Sequence, residues 1–156
     1  MKFYTRILSG QKIILAIGLF VFLGLIGMPA IAADRFVNNG DGTVTDTKTG
    51  LMWAAKDNGT HISWTNARSY CQNYSGGKHT DWRMPTLEEL QTLYDPVIQN
   101  DRGYHITPFV ETTSESCWAS ETRGNEAGRF NFTYGQEYWL RQSHTGAGRA
   151  LPVRSG

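Results

Sequence analysis

Hydrophobic and polar positions along residues 34–156 change period twice. Short alternating pieces come first, at Arg35–Val37, Thr43–Asp46 and Leu51–Ala54. The turn-rich stretches Asn38-Asn39-Gly40-Asp41-Gly42 and Thr49-Gly50 separate them, which predicts a small β-meander. From Ser63 the period lengthens. Trp64, Ala67, Cys71 and Tyr74 recur at i, i+3, i+7 and i+10, with Ser63 as the cap of a first helix and Gly76-Gly77 as its stop. A second helix opens at Thr86-Leu87-Glu88-Glu89, where Thr86 and Glu89 can satisfy each other's backbone N–H groups. Leu87, Leu90 and Leu93 form its buried stripe, and Asp95-Pro96 stops it. From Cys117 onward alternation returns. Arg129–Tyr134 places Phe130, Phe132 and Tyr134 on one side, and Tyr138–Arg141 and Arg149–Arg154 are further candidate strands. Pro152 confines the last of these to an edge or a bulge. Strands, two helices, then strands predict an α+β fold.

The first residues read differently. Lys2, Arg6 and Lys12 precede an uncharged run from Ile13 to Gly27, and Pro29 leads into Ala30-Ile31-Ala32, small residues where a signal peptidase needs them. Residues 1–32 are therefore expected to be a signal peptide cut after Ala32, leaving residues 33–156 as one domain in the periplasm, at the cell surface or secreted. The competing reading is a retained anchor, since Ile13–Ala33 is long enough to span a bilayer. An oxidising compartment would permit a disulfide between Cys71 and Cys117, against the alternative of two buried free thiols. His61, His79, His105 and His144 are scattered without short-range ligand partners, so neither a metal nor a cofactor is expected.

Charge adds a second division. All fourteen acidic residues lie at or after Asp34, against twelve basic ones, which excludes a generally basic nucleic-acid binder. Asp34 to Thr122 carries seven basic and twelve acidic residues, net −5. Arg123 to Gly156 carries Arg123, Arg129, Arg141, Arg149 and Arg154 against Glu126 and Glu137, net +3. Arg forks suit sulfate and carboxylate groups, and Tyr138-Trp139 offers rings on which a sugar could stack. Arg123, Arg129, Tyr138, Trp139, Arg141, His144 and Arg149 are thus the candidate glycan- or anion-binding residues, the alternative being solvated arginines on edge strands. No catalytic set is visible: Gly-x-Ser-x-Gly, His-Glu-x-x-His and a phosphate-cradling loop are all missing, and Glu88 and Glu89 point apart on one helix. The Asn39–Gly50 stretch fails as a calcium loop, with Val44 at the sixth position and Gly50 at the twelfth.

A family resemblance joins these pieces. Asn39-Gly40-Asp41-Gly42-Thr43-Val44-Thr45-Asp46 followed by Thr49-Gly50-Leu51-Met52-Trp53 resembles the opening of the Lcl C-terminal domain family. The likeness continues through Trp64-x-x-Ala67-x-x-Tyr70-Cys71 and Asp81-Trp82-Arg83-Met84-Pro85-Thr86-x-x-Glu89-Leu90, then Cys117-Trp118-Ala119-Ser120 and Pro152-Val153-Arg154. The resemblance implies a C-type lectin-like fold of two helices, small antiparallel sheets and long loops, and a bacterial role in adhesion and recognition of sulfated glycans. This sequence carries no Gly-X-Y repeat, so the collagen-like trimer stalk of such adhesins is not implied. Ile62-Ser63-Trp64, Tyr70-Cys71 and Arg83-x-Pro85-Thr86-x-x-Glu89 are also similar to the formylglycine-generating, sulfatase-modifying enzymes. Those enzymes work through a copper-binding cysteine pair near the end of the domain, whereas no Cys follows Cys117 here. The expectation is a non-catalytic recognition domain whose partner is a surface or extracellular glycan, membrane contact being limited to export. The alternative is an assembly component of a surface appendage or envelope complex that contacts protein.

Overall fold

The computed structural model describes residues 34–156, so the expected signal peptide, residues 1–32, lies outside the described residues. Strands β1 (Phe36–Asn38), β2 (Thr43–Asp46) and β3 (Leu51–Ala54) form the expected antiparallel meander. Its turns are built by side chains: the Asn38 carboxamide accepts from Gly40 N–H, and Asp41 accepts from the Thr43 N–H and hydroxyl. Two helices follow, α1 (Trp64–Gln72) and α2 (Leu87–Gln91). Thr86 caps α2 by accepting from Glu89 N–H, and the Glu89 carboxylate accepts in return from Thr86 N–H. The second sheet contains β4 (Ser116–Arg123), β5 (Glu126–Asn131), β6 (Gln136–Arg141) and the short β7 (Gly148–Arg149). The last strand, β8 (Val153–Ser155), returns to the first sheet. Strand orders are β1-β2-β3-β8 and β6-β5-β4-β7, antiparallel except for the parallel β4–β7 pair. The class is α+β.

The second sheet separates two apolar clusters, because successive side chains of a strand point to opposite faces. Cys117, Ala119 and Phe130 face a cluster with Val44, Trp53, Leu87, Leu90, Leu93, Ile106, Phe132, Leu151 and Val153. Trp118 and Ala127 face the other way, against Ala67 and Cys71 of α1, Met84 and Ala150. The two largest fully buried side chains, Trp53 and Trp118, thus anchor opposite clusters. Trp118 keeps its one polar atom satisfied by donating to the Ile62 carbonyl at 2.8 Å. Arg83, ahead of α2, forks onto the Glu89 carboxylate at 2.6 and 2.7 Å.

Three expectations change. Arg129–Tyr134 is not one strand: β5 stops at Asn131, whose side-chain oxygen accepts from the N–H groups of Thr133 and Tyr134 and closes a turn. Tyr134 therefore stands 64% exposed instead of joining Phe130 and Phe132. The Arg149–Arg154 strand is split between the two sheets, and Pro152 occupies the break. Cys71 and Cys117 are free, buried thiols in this structure, not a bridge. Burial is also what pushes the Cys71 thiol up to about 12 and the Cys117 thiol well above its ordinary value.

Candidate functional site

On one face of the second sheet, alternation aligns polar side chains that cannot all be buried cheaply. Trp118 on β4 lies opposite Arg129 on β5, and Arg129 lies opposite Tyr138 on β6, so all three share that face. Ser116 and Asn131 form the next row of it. The segment after β6 bends across this face and is tied down by its own backbone. Gly146 offers its carbonyl to Arg129 at 3.0 Å, and the Ala147 carbonyl accepts from Ser114 and Ser116 at 2.9 and 3.0 Å. Ala147 takes a φ of 55°, a left-handed conformation costing roughly 1 kcal/mol outside glycine. Its N–H is held by His61 Nδ1 at 2.8 Å, which requires that ring nitrogen to be unprotonated.

Between sheet and segment lies a cavity of about 270 Å³ lined by Glu115, Arg129, Tyr134, Tyr138, His144 and Gly146, among others. Arg129 is its unusual member, only 3% exposed. Its guanidinium packs over the Trp118 ring at 4.8 Å and donates to Ser116 and Gly146, yet its Nε has no partner. Arg129 enters none of the ion pairs among the described residues. Burial lowers its pKa from the ordinary arginine value, since desolvation disfavours the charged form. A buried cation held only by neutral acceptors is costly, and an anion arriving in the cavity would offset that cost. Tyr134 and Tyr138, 64% and 38% exposed, supply aromatic surface beside it.

Two larger hollows lack a buried, unpaired cation. One of about 550 Å³ against α1 is lined by Ile62, Asn66, Tyr70, Tyr74 and other uncharged groups. Another, of about 510 Å³, contains Arg83, whose guanidinium Glu89 already occupies, and Arg68, which is solvent-exposed and lies over the Trp64 ring at 5.7 Å. Among the described residues no three His, Cys, Asp or Glu side chains converge as metal ligands.

The structure brings together only part of the expected set. Arg129, Tyr138 and His144 line one cavity. Trp139, opposite Gly128 in register, faces the other side of the sheet, where Arg123 stacks on its ring at 3.6 Å. Arg141 is exposed at the end of β6, opposite Glu126. Arg149 is not on a surface at all. It is 6% exposed, pairs with buried Asp57 at 3.7 Å, and donates to the Thr113 hydroxyl at 2.7 Å. Arg149 therefore serves the interior, because Asp57, a buried carboxylate 92 residues earlier in the loop after β3, needs a cation more than solvent does. Glu115 and Tyr134 join the cavity unforeseen. Glu115 was hidden by counting charge in blocks, since it falls in the acidic stretch, and Tyr134 by being placed on the apolar face of a strand.

The sequence is matched by the family profile of the Lcl C-terminal domain over residues 42–154. Curated proteins yield no match to the chain. The profile spans nearly every element described above, from the turn before β2 to the middle of β8, and the chain belongs to the Lcl C-terminal domain family.

Proposed function

We propose that this is an exported, adhesin-like recognition domain that binds acidic glycans, sulfated ones included, without catalysis. Family membership supports the adhesin-like surface role, and the family is not a known catalytic one. The observation that carries the ligand class is Arg129: a buried guanidinium with an unpartnered Nε and no ion pair, lining a cavity with two exposed tyrosines. A sulfate or carboxylate would meet a fixed, desolvated cation there, and the tyrosines would take a sugar face. Export rests on the signal-peptide pattern of residues 1–32.

A glycan array tests the proposal. Binding is expected to sulfated or uronate-containing glycans, and Tyr138→Ala, an exposed change that leaves the core intact, should lower it about tenfold. Neutral glycans binding equally well, or Tyr138→Ala binding as the parent does, would overturn it. One observation favours the second reading, an envelope component that contacts protein. Exposed Ile98 and Phe109 border a hollow of about 340 Å³ with Phe36 and Tyr94, and apolar surface of that kind marks protein contacts. Repeated recovery of one envelope protein, lost on Phe109→Ser, would favour it over glycan binding.

A further inference from the structure

The cavity around Arg129 holds a second charge that a purely anionic ligand leaves unanswered. Glu115 lines it too, and Arg129 feels its field, yet the two form no ion pair. Glu115 pairs with no other cation among the described residues either. Its position is fixed, because its carbonyl accepts from Phe132 N–H at 2.7 Å directly before β4 begins. Buried Arg129 and half-buried Glu115, one cation and one anion, thus line the same small volume together with Tyr134 and Tyr138.

We infer that the group bound here carries both charges: an acidic sugar whose amine is free, with its sulfate or carboxylate on Arg129 and its ammonium on Glu115. The inference rests on the cavity being the binding site and names the substrate class within it. A ligand with only negative groups brings charge against Glu115 and is penalised, whereas an ammonium turns that repulsion into attraction. Tyr134 and Tyr138 line the same cavity, and an aromatic face attracts a cation. An N-acetylated sugar keeps the shape and the anion and loses the second contact. Glu115 is on this account a specificity-determining residue. His144 lines the same cavity, and the ligands are compared at one pH.

The test is a calorimetric titration of the protein with two probes that differ at one group, glucosamine 6-sulfate and N-acetylglucosamine 6-sulfate. The free amine is expected to bind about three- to tenfold tighter, the range a partly solvated ion pair supplies. Glu115→Gln should erase that preference, and Tyr138→Ala should weaken both probes. Equal binding of the two by the parent protein, with Tyr138→Ala still weakening both, overturns the inference and leaves the cavity as an anion site. Binding of neither probe, or binding indifferent to Tyr138→Ala, overturns the cavity reading and the inference together.

Discussion

Cys71 and Cys117 show how far a side chain's surroundings decide its chemistry. Both are fully buried, in different apolar clusters, and burial raises both thiols, Cys71 to about 12. The reactive thiolate is then a vanishing fraction at neutral pH. The folded protein is expected to be inert to a thiol-labelling disulfide reagent and to release two equivalents of thiol once denatured. No thiol after denaturation would mean a bridge, and rapid labelling of the folded protein would mean that burial has been misread. The arginines teach the same lesson. Residue type identified five C-terminal guanidiniums, but nothing local says that Arg149 meets Asp57 or that Arg129 lies over Trp118 while Arg141 stays in water. Those fates depend on which strand lies next to which.

Among the elements, what a few neighbouring residues determine was legible and what distant pairing determines was not. The α2 cap needs only Thr86 and Glu89, and the meander's turns need only Asn38, Asp41 and glycines nearby, so both could be read directly. The end of β5 is an exception, a local turn closed by Asn131 that the alternation of Phe130, Phe132 and Tyr134 masks. The break between β7 and β8 depends on partners far along the chain. β7 exists because Gly148 and Arg149 lie parallel to Ser116 and Cys117 of β4. That short contact is tight. A methyl group at Gly148 would sit 2.5 Å from Trp118 Nε1, on an indole that is buried and hydrogen-bonded. Gly148→Ala is therefore expected to destabilise the domain by about 1–3 kcal/mol through overpacking, read as a lower midpoint in urea. Because β7 continues from the segment that covers Arg129, weaker binding of acidic glycans should accompany the loss. A midpoint unchanged from the parent would show that β7 can shift away without cost.

Over the whole molecule, paired carboxylates are held below their ordinary pKa, and one of them, Asp81, joins distant parts of the chain. Burial alone would raise Asp46, but hydrogen bonds from Arg35, Thr49 and the Lys48 N–H bring its pKa below the ordinary value. Burial likewise opposes the lowering of Glu89 by Arg83 and the α2 cap. Asp81, solvent-exposed, is lowered first by its hydrogen bond from Arg154 on β8. A carboxylate depressed in the folded state stabilises above its unfolded pKa, and that contribution is lost as the pH falls through the lower folded value. Melting temperature should hold on the neutral side and fall below about pH 4. Added salt should weaken the exposed Asp81 pair before the buried Asp46 one. A melting temperature that rises on acidification would contradict these assignments. The Arg154 link belongs to β8, which pairs Leu51 with Ser155 and so makes the first sheet's fourth strand from the far end of the sequence. Such a pairing has a kinetic meaning. The meander can form early, yet its open side stays unclosed until residue 155 arrives, so loop closure over the intervening chain comes before the sheet is sealed. A polypeptide emerging in order thus keeps the β3 edge of its first sheet open until residues 153–155 have been made.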